Sequence, residues 1–192
     1  MKNVIPGWII ILLILLLACP AKTGETAHIR NGQYIPSEFE LKATYLYNFL
    51  KFIKWPKEAC NLHDGRSHTI AVLGESPFNE VLKSMQEELQ KHDKQLQLRF
   101  YGPYSDDLEF ECCCLMYITA SEMGNLPEII GKIAEMPILT VSDDSALTDL
   151  GVMITLVLQN KKIRWVINRK PVERTSLKLS AKLYDIAVRV ID

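Results

Sequence analysis

Three short polar clusters hold the side chains of this chain best placed to do chemistry. They are Gly74-Glu75-Ser76, Thr119-Ala120-Ser121-Glu122 and Ser142-Asp143-Asp144, and each follows an apolar, β-rich run. If those runs are parallel strands, the clusters stand at their carboxyl ends, where such sheets bind ligands. Ser76, Ser121, Ser142 and Asp143 would then meet free helix N-termini around a small polar or anionic molecule. Serine, threonine and aspartate at strand-to-helix turns also act simply as caps, and that plainer reading stands beside the first. Asp143 and Asp144 offer two carboxylates, but adjacent residues at a strand exit face different ways.

Catalytic patterns are missing, so no catalytic residue, cofactor or metal is expected and the chain does not read as an enzyme. Gly124-Asn125-Leu126-Pro127-Glu128-Ile129-Ile130-Gly131-Lys132 has the wrong spacing for a phosphate loop, with Pro127 inside it and Ile133 where a hydroxyl is required. There is no Gly-x-Ser-x-Gly and no Gly-x-Gly-x-x-Gly, and His28, His63, His68 and His92 lie in polar stretches. The cysteines form a second group: Cys60 and the triplet Cys112, Cys113 and Cys114. In an oxidising compartment a bridge from Cys60 to one of the triplet is allowed, and the sequence does not choose which. In an extended strand Cys112 and Cys114 would share one face and Cys113 the other. The alternative is that the triplet supplies small buried side chains. No Cys-x-x-Cys and no nearby histidine supports a metal site.

The elements that would position these residues follow from spacing. Ser37-Glu38-Phe39-Glu40 is a capping box, and Phe39, Ala43, Leu46, Leu50 and Ile53 recur at helical intervals until Pro56. Strands are expected over 69–73, 96–101, 114–118, 138–141, 153–158 and 163–167, with helices from Ser76-Pro77 to about Gln90 and from about Asn125 to Glu135. Gln159-Asn160-Lys161-Lys162 suits a hairpin link. A last helix is expected from about Ser180 to Val190, with Leu183, Ile186, Ala187 and Val190 on one face. It should pack on the same side of the sheet as the first helix. Trp165 is expected to share a strand face with Ile163 and Ile167, and Asn168 to bond the turn that follows. The fold class is therefore α/β: a three-layer sandwich with a mostly parallel sheet of about six strands ending in an antiparallel pair, helices on both faces.

Tyr45, Tyr47, Phe49, Phe52 and Trp55 crowd the first helix beyond what one buried stripe uses. Tyr45, Tyr47 and Trp55 are candidates for a partner surface, since flat amphipathic rings suit protein contacts. The plainer alternative is that they cover the sheet. The formal net charge is −1, and both signs read as interspersed, without a basic stripe, so no nucleic-acid partner is expected.

The N-terminus carries one charge, Lys2, before Lys22, then an apolar run from Trp8 to Leu17. That run is shorter than the roughly 20 residues a membrane-spanning helix needs, and it reads as an export signal. Leu16-Leu17-Ala18-Cys19 resembles a bacterial lipobox, which makes Cys19 a candidate lipidation site; cleavage after Ala21, releasing a soluble periplasmic protein, is the competing reading. Residues 1–18 are thus expected to be an export signal of lipoprotein type, 19–36 a flexible tether to a membrane, and 37–192 one domain.

Two segments resemble a known family. One is Lys42-Ala43-Thr44-Tyr45-Leu46-Tyr47-Asn48-Phe49-Leu50-Lys51-Phe52-Ile53-Lys54-Trp55-Pro56; the other runs from Leu139-Thr140-Val141-Ser142-Asp143 to Leu177-Lys178-Leu179-Ser180-Ala181-Lys182-Leu183. Together they are similar to the YfiR-like family of small bacterial periplasmic proteins, over roughly Ser37 to Val190. Many members have two glycines where this chain has Leu150-Gly151. The resemblance implies a non-enzymatic periplasmic regulator that binds the periplasmic part of an inner-membrane diguanylate cyclase, or another envelope signalling protein, and lowers cyclic di-GMP. The alternative to that function is a periplasmic small-ligand sensor coupled to a histidine kinase or an outer-membrane transporter. An aromatic surface would also serve a homodimer.

Overall fold

The structure is a computed structural model that describes residues 28–30, 33–56, 68–92, 94–110, 112–160 and 162–192. The chain divides into two units, Met1–Glu38 and Phe39–Asp192. Within the first, β1 (His28–Arg30) and β2 (Gln33–Ile35) pair as an antiparallel hairpin, inside the segment read as a tether.

The rest alternates strands and helices. Helix α1 (Glu38–Phe52) starts directly after Ser37 and passes into the short strand β3 (Ile53–Lys54). There follow β4 (His68–Leu73), α2 (Phe78–Lys91), β5 (Leu96–Gly102), β6 (Leu115–Ile118), a 3-10 turn (Ala120–Glu122), α3 (Leu126–Ile133) and β7 (Leu139–Ser142). The C-terminal part comprises α4 (Ala146–Asp149), β8 (Ile154–Gln159), β9 (Lys162–Asn168), α5 (Arg169–Glu173), β10 (Lys178–Leu179), α6 (Ala181–Asp185) and β11 (Arg189–Ile191).

Seven strands form the main sheet in the order β11-β9-β8-β7-β6-β4-β5. All neighbours are parallel except β8 and β9. From β4 the chain first steps outward to β5, then back across to β6, β7 and β8, so the winding direction reverses at β4. Such a switch opens the ligand crevice of doubly wound sheets.

Strand alternation divides the interior in two. Ile70 and Val72 of β4, Leu115 and Tyr117 of β6, and Leu139 and Val141 of β7 face one core, shared with Leu46, Phe49 and Leu50 of α1 and Phe78 and Leu82 of α2. Ala71, Leu73, Met116 and Ile118 face the other, covered by Leu126, Ile129 and Ile133 of α3 and by Leu147 of α4. Both faces of β4 and β6 are buried, which explains their unbroken apolar runs. This is the expected three-layer α/β sandwich, with helices on both faces.

Two local expectations are corrected. The segment read as one last helix is the short α6 followed by β11, which makes a seventh strand parallel to β9. Val188-Arg189-Val190-Ile191 is β-branched at three of four positions, and the open edge of β9 offers those residues a ladder. Val190 still packs against the first core, by strand alternation rather than helical spacing, while Ile186 is exposed. Leu183 does place α6 on the side of the sheet covered by α1. Asn168 differs too: its side-chain amide donates not to the turn that follows but back to the Thr148 carbonyl, at 2.9 Å. Trp165 lies, as its alternation requires, with Ile163 and Ile167 in the first core.

Candidate functional site

The crevice at the winding switch is closed by the chain's own side chains. Gly74 follows β4 with φ +95°, and its amide donates to the Gly102 carbonyl at 2.6 Å. A Cβ at Gly74 would collide with Thr119 Oγ1 and lie 2.6 Å from Ser121 Oγ, so glycine is required both by conformation and by space. Ser121 Oγ accepts the Glu75 amide at 3.3 Å, contacts Thr119 Oγ1 at 2.8 Å and donates to Glu122 Oε1 at 3.2 Å. Glu122, only 2 % exposed, accepts further hydrogen bonds from the Tyr104 amide at 3.1 Å and Asn125 Nδ2 at 3.0 Å. A carboxylate supplied by the protein thus receives the donors that an anionic ligand would use here.

The other polar residues read from the sequence have partners of their own. Ser76 Oγ accepts the Phe78 amide at 3.1 Å and so serves the first turn of α2. Ser142 is fully buried and accepts the Asp144 amide at 3.3 Å; Asp144 Oδ1 accepts the Ala146 amide at 2.9 Å. Asp143 turns to α1, where Lys42 Nζ meets its Oδ2 at 2.6 Å. The two neighbouring carboxylates therefore have separate partners and form no dyad. Behind them a buried polar row continues: Thr148 Oγ1 donates to Thr155 Oγ1 at 2.7 Å, and Thr140 Oγ1 accepts the Met153 amide at 2.9 Å.

Lys42 is not among the candidate site residues of the sequence, and Glu122 enters only as the last member of its cluster. Lys42 had a signal: it occupies the apolar stripe 39-42-46-49 of α1, and a charge in a core stripe requires a buried partner. Glu122 has its place in a polar cluster but no sign of burial, because a polar residue after a strand looks the same whether it is exposed or enclosed.

The residues of the supposed phosphate loop are mostly helical, in α3, with Pro127 at its second position. Leu150 takes φ −88°, which needs no glycine, while Gly151 takes φ +112°. One glycine, at position 151, therefore suffices for this turn.

The cysteine triplet straddles the sheet. Cys113 packs into the second core and Cys114 into the first, while Cys112 precedes them in a turn with φ +59° rather than in a strand. Cys113 Sγ lies 3.5 Å from Tyr101 Oη, and burial pushes its thiol pKa up. Burial also raises the Tyr101 phenol, and its hydrogen bond raises the Arg99 guanidinium. Cys60, and with it the proposed bridge, lies outside the described residues, as does Cys19.

Of the aromatic candidates, Tyr45 is half-buried, with its ring 5.6 Å from Trp165 and 6.5 Å from Phe49. Tyr47 is half-buried beneath Lys51, whose Nζ lies 4.3 Å from the ring centroid. Trp55 packs edge-on against His68 at 5.6 Å, and burial lowers the His68 pKa. Phe52, not chosen from the sequence, is more open, at 37 % exposure. No described helix is long and apolar enough to cross a membrane, and no described group of three or more His, Cys, Asp or Glu could hold a metal.

A family model described as YfiR/HmsC-like matches residues 39–188. No curated protein matches the sequence. Among solved structures, the crystal structure of a conserved domain protein from Vibrio cholerae O1 biovar El Tor strain N16961 shares the fold, with a TM-score of 0.54 and 12 % sequence identity. That match covers 81 % of this chain and 60 % of the Vibrio chain.

Proposed function

This chain belongs to the YfiR/HmsC-like family, and from that premise we propose that it is a non-enzymatic regulator that binds the periplasmic part of an inner-membrane diguanylate cyclase and holds it inactive. The family is one of periplasmic regulatory domains. The observation that carries the non-enzymatic half of the reading is the occupied switch crevice: Glu122, Ser121 and Thr119 fill it, and Lys42 takes up Asp143. The same packing argues against a ligand sensor using Ser76, Ser121, Ser142 and Asp143. On this reading the aromatic helix α1, with Tyr45, Tyr47 and Trp55, contributes to the partner surface. Cys19 carries a lipid, residues 19–36 link it to the domain, and Cys60 bridges to one of the triplet.

Repression requires only that the regulator bind the inactive cyclase better than the active one; a few kcal/mol of difference shifts the population. The test is intracellular cyclic di-GMP in the native bacterium with the gene present and deleted. A rise on deletion is expected. An unchanged level, in cells shown to express their membrane cyclases, rules the repressor out.

A further inference from the structure

The net charge of −1 conceals a segregation along the chain. Residues 37–160 carry ten Lys and Arg against nineteen Asp and Glu, whereas residues 161–192 carry nine against three. The two signs are therefore not interspersed as composition led us to expect. The fold sets two cations of that last stretch, Lys178 and Lys182, beside Lys54 of the first. In the ladder of β3 and β10, Ile53 lies opposite Leu179 and Lys54 opposite Lys178. Ile53 and Leu179 pack on the first core, so the two lysines stand side by side on the outer face, both exposed. Like charges directly opposite in an antiparallel ladder repel. The Ser180 amide donates to the Phe52 carbonyl at 2.9 Å, which sets the start of α6 beside the same spot and adds exposed Lys182 to the group. Among the described residues, none of Lys54, Lys178 and Lys182 makes an ion pair. Next to these lysines lie two exposed apolar side chains, Phe52 at 37 % and Ile186, four residues beyond Lys182, at 49 %.

We propose that this strip, with Lys54, Lys178 and Lys182 beside Phe52 and Ile186, is a surface that rests on an anionic phospholipid bilayer. The residue types favour lipid over a single bound anion or an acidic peptide. Discrete carboxylates and phosphates are best held by the planar fork of arginine, and the three cations here are lysines. An ammonium on a long flexible stem suits the diffuse field of a headgroup layer and can lie along apolar surface while its charge stays in water. An aromatic and an aliphatic side chain among such lysines can enter the boundary between headgroups and acyl chains. An anionic bilayer would also relieve the repulsion across the β3–β10 ladder. The inference concerns a lipid surface and does not depend on which signalling protein the domain binds.

The test uses the full chain with vesicles of phosphatidylcholine, alone or mixed with phosphatidylglycerol, and measures the excess of binding to the anionic vesicles. The apolar N-terminal segment is common to every comparison and cancels. Each lysine near an anionic surface raises partitioning about fivefold, so the variant Lys54→Gln/Lys178→Gln/Lys182→Gln should lose the excess by roughly a hundredfold. Rising salt should erode it in the unaltered chain. Equal binding to the two vesicle types, an excess that survives in the variant, or an excess indifferent to salt overturns the proposal. Polyglutamate tests the competing occupant: if the variant loses polyglutamate while keeping its vesicle excess, the strip is a site for an acidic protein segment instead.

Discussion

At the scale of single residues, the most constrained position is Gly74. Alanine there would have to hold φ near +95° and displace the Thr119 and Ser121 hydroxyls at once. We expect Gly74→Ala to destabilise the domain by about 2–4 kcal/mol, read from the denaturant midpoint; a loss under half a kcal/mol would mean that the crevice is looser than drawn. His68 gives a pH signature. Its pKa is lowered in the folded state, so the unfolded chain binds the proton more readily and stability rises with pH. The contribution is complete above the unfolded value of about 6.5 and is lost as pH falls from there through the folded value. Unfolding midpoints should therefore drop between pH 7 and pH 5, and His68→Gln should flatten that part of the profile; an unaltered profile in the variant would exclude His68 as the cause. Composition shows that Gly74 and His68 exist but not that one is enclosed by Thr119 and the other packed against Trp55. Such enclosure is a property of neighbours distant in sequence, which is why Glu122 can be placed in its cluster but not buried beneath the Tyr104 amide from sequence alone.

At the scale of elements, most of the plan was legible because periodicity and burial coincide. β6 and the Ile70–Leu73 part of β4 are apolar throughout because both of their faces are covered, and α1 shows its stripe because one face is. The reading failed at the C-terminal end, where Leu183, Ala187 and Val190 fit a helix by spacing and yet reach the same core through α6 and β11. What fixes that end is tertiary: Trp165 Nε1 donates to the Leu183 carbonyl at 2.9 Å, and the Val188 amide donates to the Trp165 carbonyl at 2.9 Å. Removing the indole donor with Trp165→Phe should cost about 1–2 kcal/mol and strand a buried carbonyl. Hydrogen exchange should then quicken across residues 183–190 while the amides of β4 and β6 keep their protection. Uniform acceleration would show that α6 and β11 open only with the whole domain.

At the scale of the whole molecule, location and charge decide what the domain can meet. The lipoprotein reading is tested by metabolic labelling with a fatty acid: the native chain should incorporate label and Cys19→Ala should not, whereas label retained in the variant places the anchor elsewhere and an unlabelled native chain removes it. The charge segregation was present in the sequence throughout, but a net value averages it away, and only the pairing of β3 with β10 shows that some of it shares a face. That same pairing joins residues near opposite ends of the domain, Ile53-Lys54 with Lys178-Leu179. Closing so long a loop is entropically uphill until the contact forms, so folding should be slow for a chain of this size. The β3–β10 ladder can close only after the final stretch has been delivered. Until then that outer loop stays unclosed, and the chain's two ends remain free to pass separately through a narrow passage.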